Sequence, residues 1–169
     1  MKNTKRLLTW ILVAVLVVST VALVACVDKP QTVELTELTL PEMKDNQMAV
    51  IIKNRNNTYT AHIVTLGGSG TDATSVEGVI SYLVQQDMLT VDWTDSDTGK
   101  WLNDIGGLQP NADAHEYVAV YTSVEKDQGV GASATAYLIG DVTVGYSQYG
   151  VSGMSVENGA IIYFEIQTW

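Results

Sequence analysis

A chain of 169 residues and 18.3 kDa, with 46% apolar residues, three prolines and one cysteine, has the makeup of a single globular domain rather than a disordered or fibrous polymer. Nineteen acidic residues stand against nine lysines and arginines. That balance, without a basic cluster beyond the first six residues, argues against a nucleic-acid partner, whose phosphates need clustered cations; a lone cysteine also excludes an internal disulfide framework.

Lys2, Lys5 and Arg6 precede residues 7–25, an apolar run broken only by the hydroxyls of Thr9, Ser19 and Thr20. This is the pattern of an export signal with its charged end toward the cytoplasm. The run is also long enough to span a bilayer as a permanent helix. Leu23-Val24-Ala25-Cys26 resembles a bacterial lipobox, which favours a cleaved lipoprotein signal peptide over residues 1–25 and a diacylglycerol thioether on Cys26. Two acyl chains hold a protein stably on a membrane where one holds it marginally. The expected location is the extracytoplasmic face of the cell membrane, lipid-anchored at the cell surface. The chain without its first 25 residues has six cations and 19 acids, a formal charge of −13, which keeps an exported domain soluble.

Residues 26–46 contain Pro30 and Pro41 among Thr, Glu and Lys and read as a tether, with an early strand through Val33 and Leu35 as the alternative. From Gln47 the apolar period is two: residues 48–53 and 59–64 alternate across the Asn-rich connection Asn54, Asn56, Asn57, a hairpin signature. Val76, Val79, Ile80, Leu83 and Val84 form one helical stripe, and Thr74 with Glu77 supplies a capping box. Residues 89–93 and 101–105 flank the polar turn Asp95-Ser96-Asp97-Thr98-Gly99, a second hairpin. Residues 117–121 and 160–166 are apolar on both faces, as in central strands. Between them residues 126–153, rich in Gly, Ser and Tyr, read as an irregular excursion with short strands. Strands around a single helix, without regular alternation, predict an α+β fold, specifically a β-grasp sheet packed on one main helix.

Catalytic groups are sparse. The near-neutral bases are His62, within a strand pattern, and His115, beside Glu116; no Gly-x-Ser-x-Gly elbow is present and no third ligand accompanies the histidines for zinc. The Asp-rich turn fails as a calcium loop, with Lys100 where Gly and Gly106 where Glu is needed. Gly68-Ser69-Gly70-Thr71-Asp72-Ala73 has dinucleotide-loop spacing but no β-α-β array around it. The unusual supply is aromatic: Trp93, Trp101, Tyr117, Tyr121, Tyr137, Tyr146, Tyr149 and Trp169. Tyr117 and Tyr121 share a strand face and read as packing. Tyr146 and Tyr149, in a Gly-rich stretch with little periodicity to bury them, lead the candidate ligand contacts, with Trp101 and Trp93 beside them.

The order of the helix, the Asp-rich turn, Gly99-Lys100-Trp101-Leu102-Asn103-Asp104-Ile105-Gly106-Gly107-Leu108 and His115-Glu116-Tyr117-Val118-Ala119-Val120-Tyr121 resembles the DUF4430 domain, similar to the C-terminal domain of transcobalamin and intrinsic factor, over residues 47–169. The resemblance implies a β-grasp fold and a face for a corrinoid such as cobalamin. The helical domain that completes the site in the eukaryotic carriers is not part of this sequence. The expectation is a non-enzymatic surface lipoprotein that binds a small flat cofactor and presents it to a membrane transporter. The alternative is a protein-interaction or envelope-structural module acting through an exposed strand edge or aromatic loop.

Overall fold

The computed structural model describes residues 28–97, 99–130 and 135–169. The segment expected to be an export signal, and Cys26, therefore lie outside the described residues. No described helix is long and apolar enough to cross a membrane.

In chain order the elements are β1 (Gln31–Leu35), β2 (Gln47–Lys53), β3 (Tyr59–Thr65), α1 (Val76–Gln85), β4 (Val91–Ser96), β5 (Gly99–Ile105), β6 (Glu116–Thr122), β7 (Ala136–Ile139), β8 (Val142–Tyr146) and β9 (Ile161–Thr168). Seven strands form one mixed sheet in the order β1-β3-β2-β9-β6-β8-β7, and β4-β5 is a separate hairpin. At its centre β2 and β9 run parallel, with Ala49 opposite Ile161 and Ile52 opposite Phe164. Every other neighbour is antiparallel.

The β2-β3 hairpin follows the predicted alternation. Its connection closes where Asn57 takes a positive φ of 63°, a conformation Asn tolerates better than most residues. Asn54 donates from its side-chain amide to Thr58 and Thr60. Gln31–Leu35, within the segment read as a tether, takes the strand alternative and pairs along β3. The Gly-rich loop before α1 is shaped by chain reversal: Thr71 N–H donates to Thr65 C=O at 2.9 Å, and a Cβ on Gly70 would fall 1.9 Å from that carbonyl oxygen.

Helix α1 begins one residue later than the predicted capping box. Ser75, not Thr74, is the cap, and its hydroxyl accepts the Gly78 N–H at 3.3 Å. The N–H groups of Val76 and Glu77 donate to Met154 C=O and Val151 C=O, so the loop before β9 satisfies the orphan donors of the first turn. Val76, Val79, Ile80 and Leu83 are buried; Val84, at the margin of the stripe, is exposed.

The expected β-grasp is not what forms. In that arrangement one sheet lays one face on one helix. Here strands dominate and the seven-stranded sheet curls into a half-barrel, with cores on both faces. On one face Met48, Val50, Ile52, Ile162 and Phe164 pack beneath α1 and the β4-β5 hairpin. On the other, Ala49, Ile51, Ala61, Ala119, Tyr121, Ile161 and Tyr163 join Ile139 of β7 and Val144 of β8 in a second buried cluster. Residues from both sides of the sheet, Ala61 of β3 and Ile139 of β7 among them, belong to this one cluster, in keeping with the curl. The local reason is visible along β2 and β9: runs such as Met48–Ile52 are buried at every position, so each face needs a cover.

Within the second core lies a carboxylate. Glu165 is 2% exposed and accepts hydrogen bonds from the hydroxyls of Tyr137 and Tyr163 and from the Gln167 amide, with Lys53 Nζ at 3.5 Å. Burial pushes Glu165 up, but those three hydrogen bonds and Lys53 outweigh it and hold the group below the usual carboxylate value. Burial and Glu165 push the Tyr137 hydroxyl up to about 12.

Candidate functional site

A cleft of about 570 Å³ opens between the β4-β5 hairpin, the outer side of β6 and the segment that follows β8. Lys100 and Trp101 reach it from β5, Tyr117 and Val118 from β6, and Tyr146 and Tyr149 from the end of β8 and beyond. Three of the four predicted contacts, Trp101, Tyr146 and Tyr149, are thus brought together from segments more than 40 residues apart.

Each wall is fixed by local chemistry. Tyr146 C=O accepts Gly129 N–H at 2.8 Å and Ser147 N–H donates to Val120 C=O at 2.9 Å, which lays the strand end across the tip of β6. The Ser147 hydroxyl accepts the Tyr149 N–H at 3.1 Å and turns Tyr149 outward. A Cβ on Gly145 would fall 2.7 Å from the Gln128 side chain; glycine permits the close approach of residues 128–129. Asp127, 4% exposed, holds the same region by accepting Ser155 N–H at 2.6 Å. On the other wall, Lys100 N–H donates to the Ser152 hydroxyl at 3.1 Å. At the start of β6, outside the cleft lining, Glu116 accepts from Arg55 at 2.6 Å and from Asn111 N–H at 2.8 Å, and the Arg55 guanidinium holds Glu116 below the usual carboxylate value.

The cleft offers flat apolar surface. Trp101 is 53% and Tyr149 47% exposed, large areas for aromatic side chains. The Tyr146 ring stands edge-on to Tyr121 at 5.5 Å, and burial, then a hydrogen bond with Tyr117, pushes its hydroxyl up. Among the described residues no acidic side chain lines the cleft, although the chain has 19. Its one cation, Lys100, pairs with Asp95 at 2.5 Å. Trp93, the fourth predicted contact, does not line the cleft: its ring lies 5.6 Å from Lys100 Nζ and packs toward the core beneath α1.

Tyr117, read from sequence as packing, is a cleft residue that also touches Trp169 at 5.8 Å. Its strand pattern could not reveal this, because position along a sheet edge is a property of topology. His62 is buried with Nδ1 3.0 Å from the Thr32 hydroxyl, and His115 takes a left-handed turn with its ring against Trp169 at 5.7 Å. Among the described residues no three His, Cys, Asp or Glu side chains converge to hold a metal ion.

No protein-family model matches the chain, and no curated protein is similar to it. Among solved structures, the chain is similar to a candidate metal-binding protein from Ruminococcus gnavus, with a TM-score of 0.51 and 10% identity over 73% of this chain and 98% of that one. This is a likeness of fold alone. Haptocorrin in complex with Cbi gives a TM-score of 0.44 and 12% identity over 75% of this chain and 26% of haptocorrin, too slight a likeness to argue from.

Proposed function

We propose that this chain is a binding protein, anchored outside the cytoplasm through a lipid on Cys26, that takes a small ligand with a flat apolar face in the Trp101–Tyr146–Tyr149 cleft and presents it to a membrane transporter. The observation that carries the reading is the convergence of those three aromatic rings on one acid-free cleft in an acidic chain. Tyr and Trp give large contact area at little entropic cost and stack on planar groups. Corrinoids and other flat cofactors belong to this class, and the sparse supply of catalytic groups supports binding rather than turnover.

Calorimetric titration of the purified protein with cobalamin and with haem tests the macrocycle form. Binding with Kd of about 10 µM or tighter, weakened at least roughly tenfold in Trp101→Ala, is the expected result. Heat changes that are indistinguishable from dilution for both compounds remove it. Intact-mass analysis of the membrane-extracted protein tests the anchor: a diacylglycerol-modified Cys26 at the new N-terminus is expected, and a free thiol on a chain retaining Met1 overturns it.

A further inference from the structure

Among the described residues, the side of β6 that faces the cleft is an open strand edge over most of its length. β6 pairs with β9 over its whole length, Glu116 opposite Thr168 to Thr122 opposite Ile162. On its other side β8 meets only Tyr121 and Thr122. Main-chain groups of an antiparallel strand alternate between its two neighbours, and the even-numbered residues of β6 point away from β9: Val120 C=O accepts from Ser147, and Glu116 N–H donates to Asn111. Val118 N–H and C=O and Val120 N–H therefore lie on the cleft side, and among the described residues no strand pairs with them. Both valines line the cleft.

Open edges are usually blunted by charge, proline or a bulge, because they template further strand pairing. The unpaired stretch of β6 carries none of these at Tyr117, Val118, Ala119 or Val120; its one charge, Glu116, is tied to Arg55 and Asn111. The open groups instead sit between aromatic walls.

We propose that the occupant of this cleft is an extended peptide, which adds a strand to the open edge of β6 at Val118 and lays an aromatic side chain against Trp101 and Tyr149. The inference rests on the reading of the cleft as the binding site and names the class of ligand. A donor and an acceptor on one residue, at ladder spacing, are matched by a peptide residue and left hydrated by a ligand that only stacks. Charge narrows the class further. Among the described residues the lining has no acid, and its one lysine, Lys100, is already paired with Asp95, so a neutral peptide enters without meeting an unpaired charge.

The test uses the purified full-length protein and a capped, uncharged pentapeptide with a central tyrosine, alongside two analogues N-methylated on alternate residues so that each blocks one edge of the extended peptide. Strand addition predicts that one analogue keeps the affinity of the parent and the other loses at least roughly fivefold, while Trp101→Ala weakens the parent and the tolerated analogue together. Equal binding of both analogues means stacking without a ladder; it overturns the peptide inference and leaves the cleft reading intact. The same split follows if cobalamin or haem binds in a Trp101-dependent way and the peptides do not. If neither peptide nor macrocycle binds, both readings fall.

Discussion

At the scale of single residues, two buried titratable groups set how the molecule responds to mutation and acid. Glu165 is surrounded by four donors within the second core. Glu165→Ala strands the hydroxyls of Tyr137 and Tyr163 beside an uncompensated Lys53, and should lower stability by about 3 kcal/mol in urea denaturation, with Tyr137→Phe costing about 1 kcal/mol. His62 behaves in the opposite sense to a paired histidine. Burial holds its pKa below the ordinary 6.5, only partly offset by the charge of Glu34. The unfolded chain therefore takes up the proton first as pH falls, and stability that is complete above about pH 6.5 declines below it. The urea midpoint should drop between pH 7.5 and pH 5.5, and His62→Gln should flatten that drop. Glu165, held below 4.5 in the folded state, adds a second loss only under more acidic conditions. Nothing in the local pattern marks Glu165 as the hub of a network; a lone acid in an apolar strand was the available signal.

Among the elements, what the sequence revealed is what neighbouring residues decide by themselves. The α1 stripe and the β2-β3 hairpin follow from periodicity and from asparagines that accept left-handed turns. Capping was legible to within one residue, since Thr74 and Ser75 are both competent caps and only the approach of the 151–154 loop selects between them. Ser75→Ala should lower the thermal midpoint through a loss of about 1 kcal/mol, whereas Thr74→Ala should stay within about 0.5 kcal/mol of the parent. The candidate site was half legible. Trp101, Tyr146 and Tyr149 stood out as large rings in polar or Gly-rich surroundings. The part played by Tyr117 and Val118 was not visible, because it depends on β8 ending its pairing after two residues of β6, which no local pattern encodes.

At the scale of the whole molecule, the half-barrel departs from the β-grasp that the element pattern predicts. A chain with one amphipathic helix and several strands suits a sheet with one covered face, and the count of elements does not report curvature. The deciding information was in the fully buried runs of β2 and β9 and in the tyrosines of the 126–153 excursion, which close the second core by bringing β7 and β8 over it. A uniformly two-faced strand calls for two covers; a single helix supplies one. With strands from distant parts of the sequence interleaved, folding should be slow for the size of the chain and resolve in milliseconds to seconds by stopped-flow fluorescence. Removing residues 161–168 should abolish the cooperative unfolding transition altogether, because it takes out the strand that links β2 to β6.

The position of β9 has a consequence for how the polypeptide is handled while it is made. The middle rung of the sheet is synthesised about 130 residues after the first, so a nascent product has neither half of its interior closed and must wait, slack, for the final rung. The thread becomes rigid only once its late segment slides between the two flanking strands.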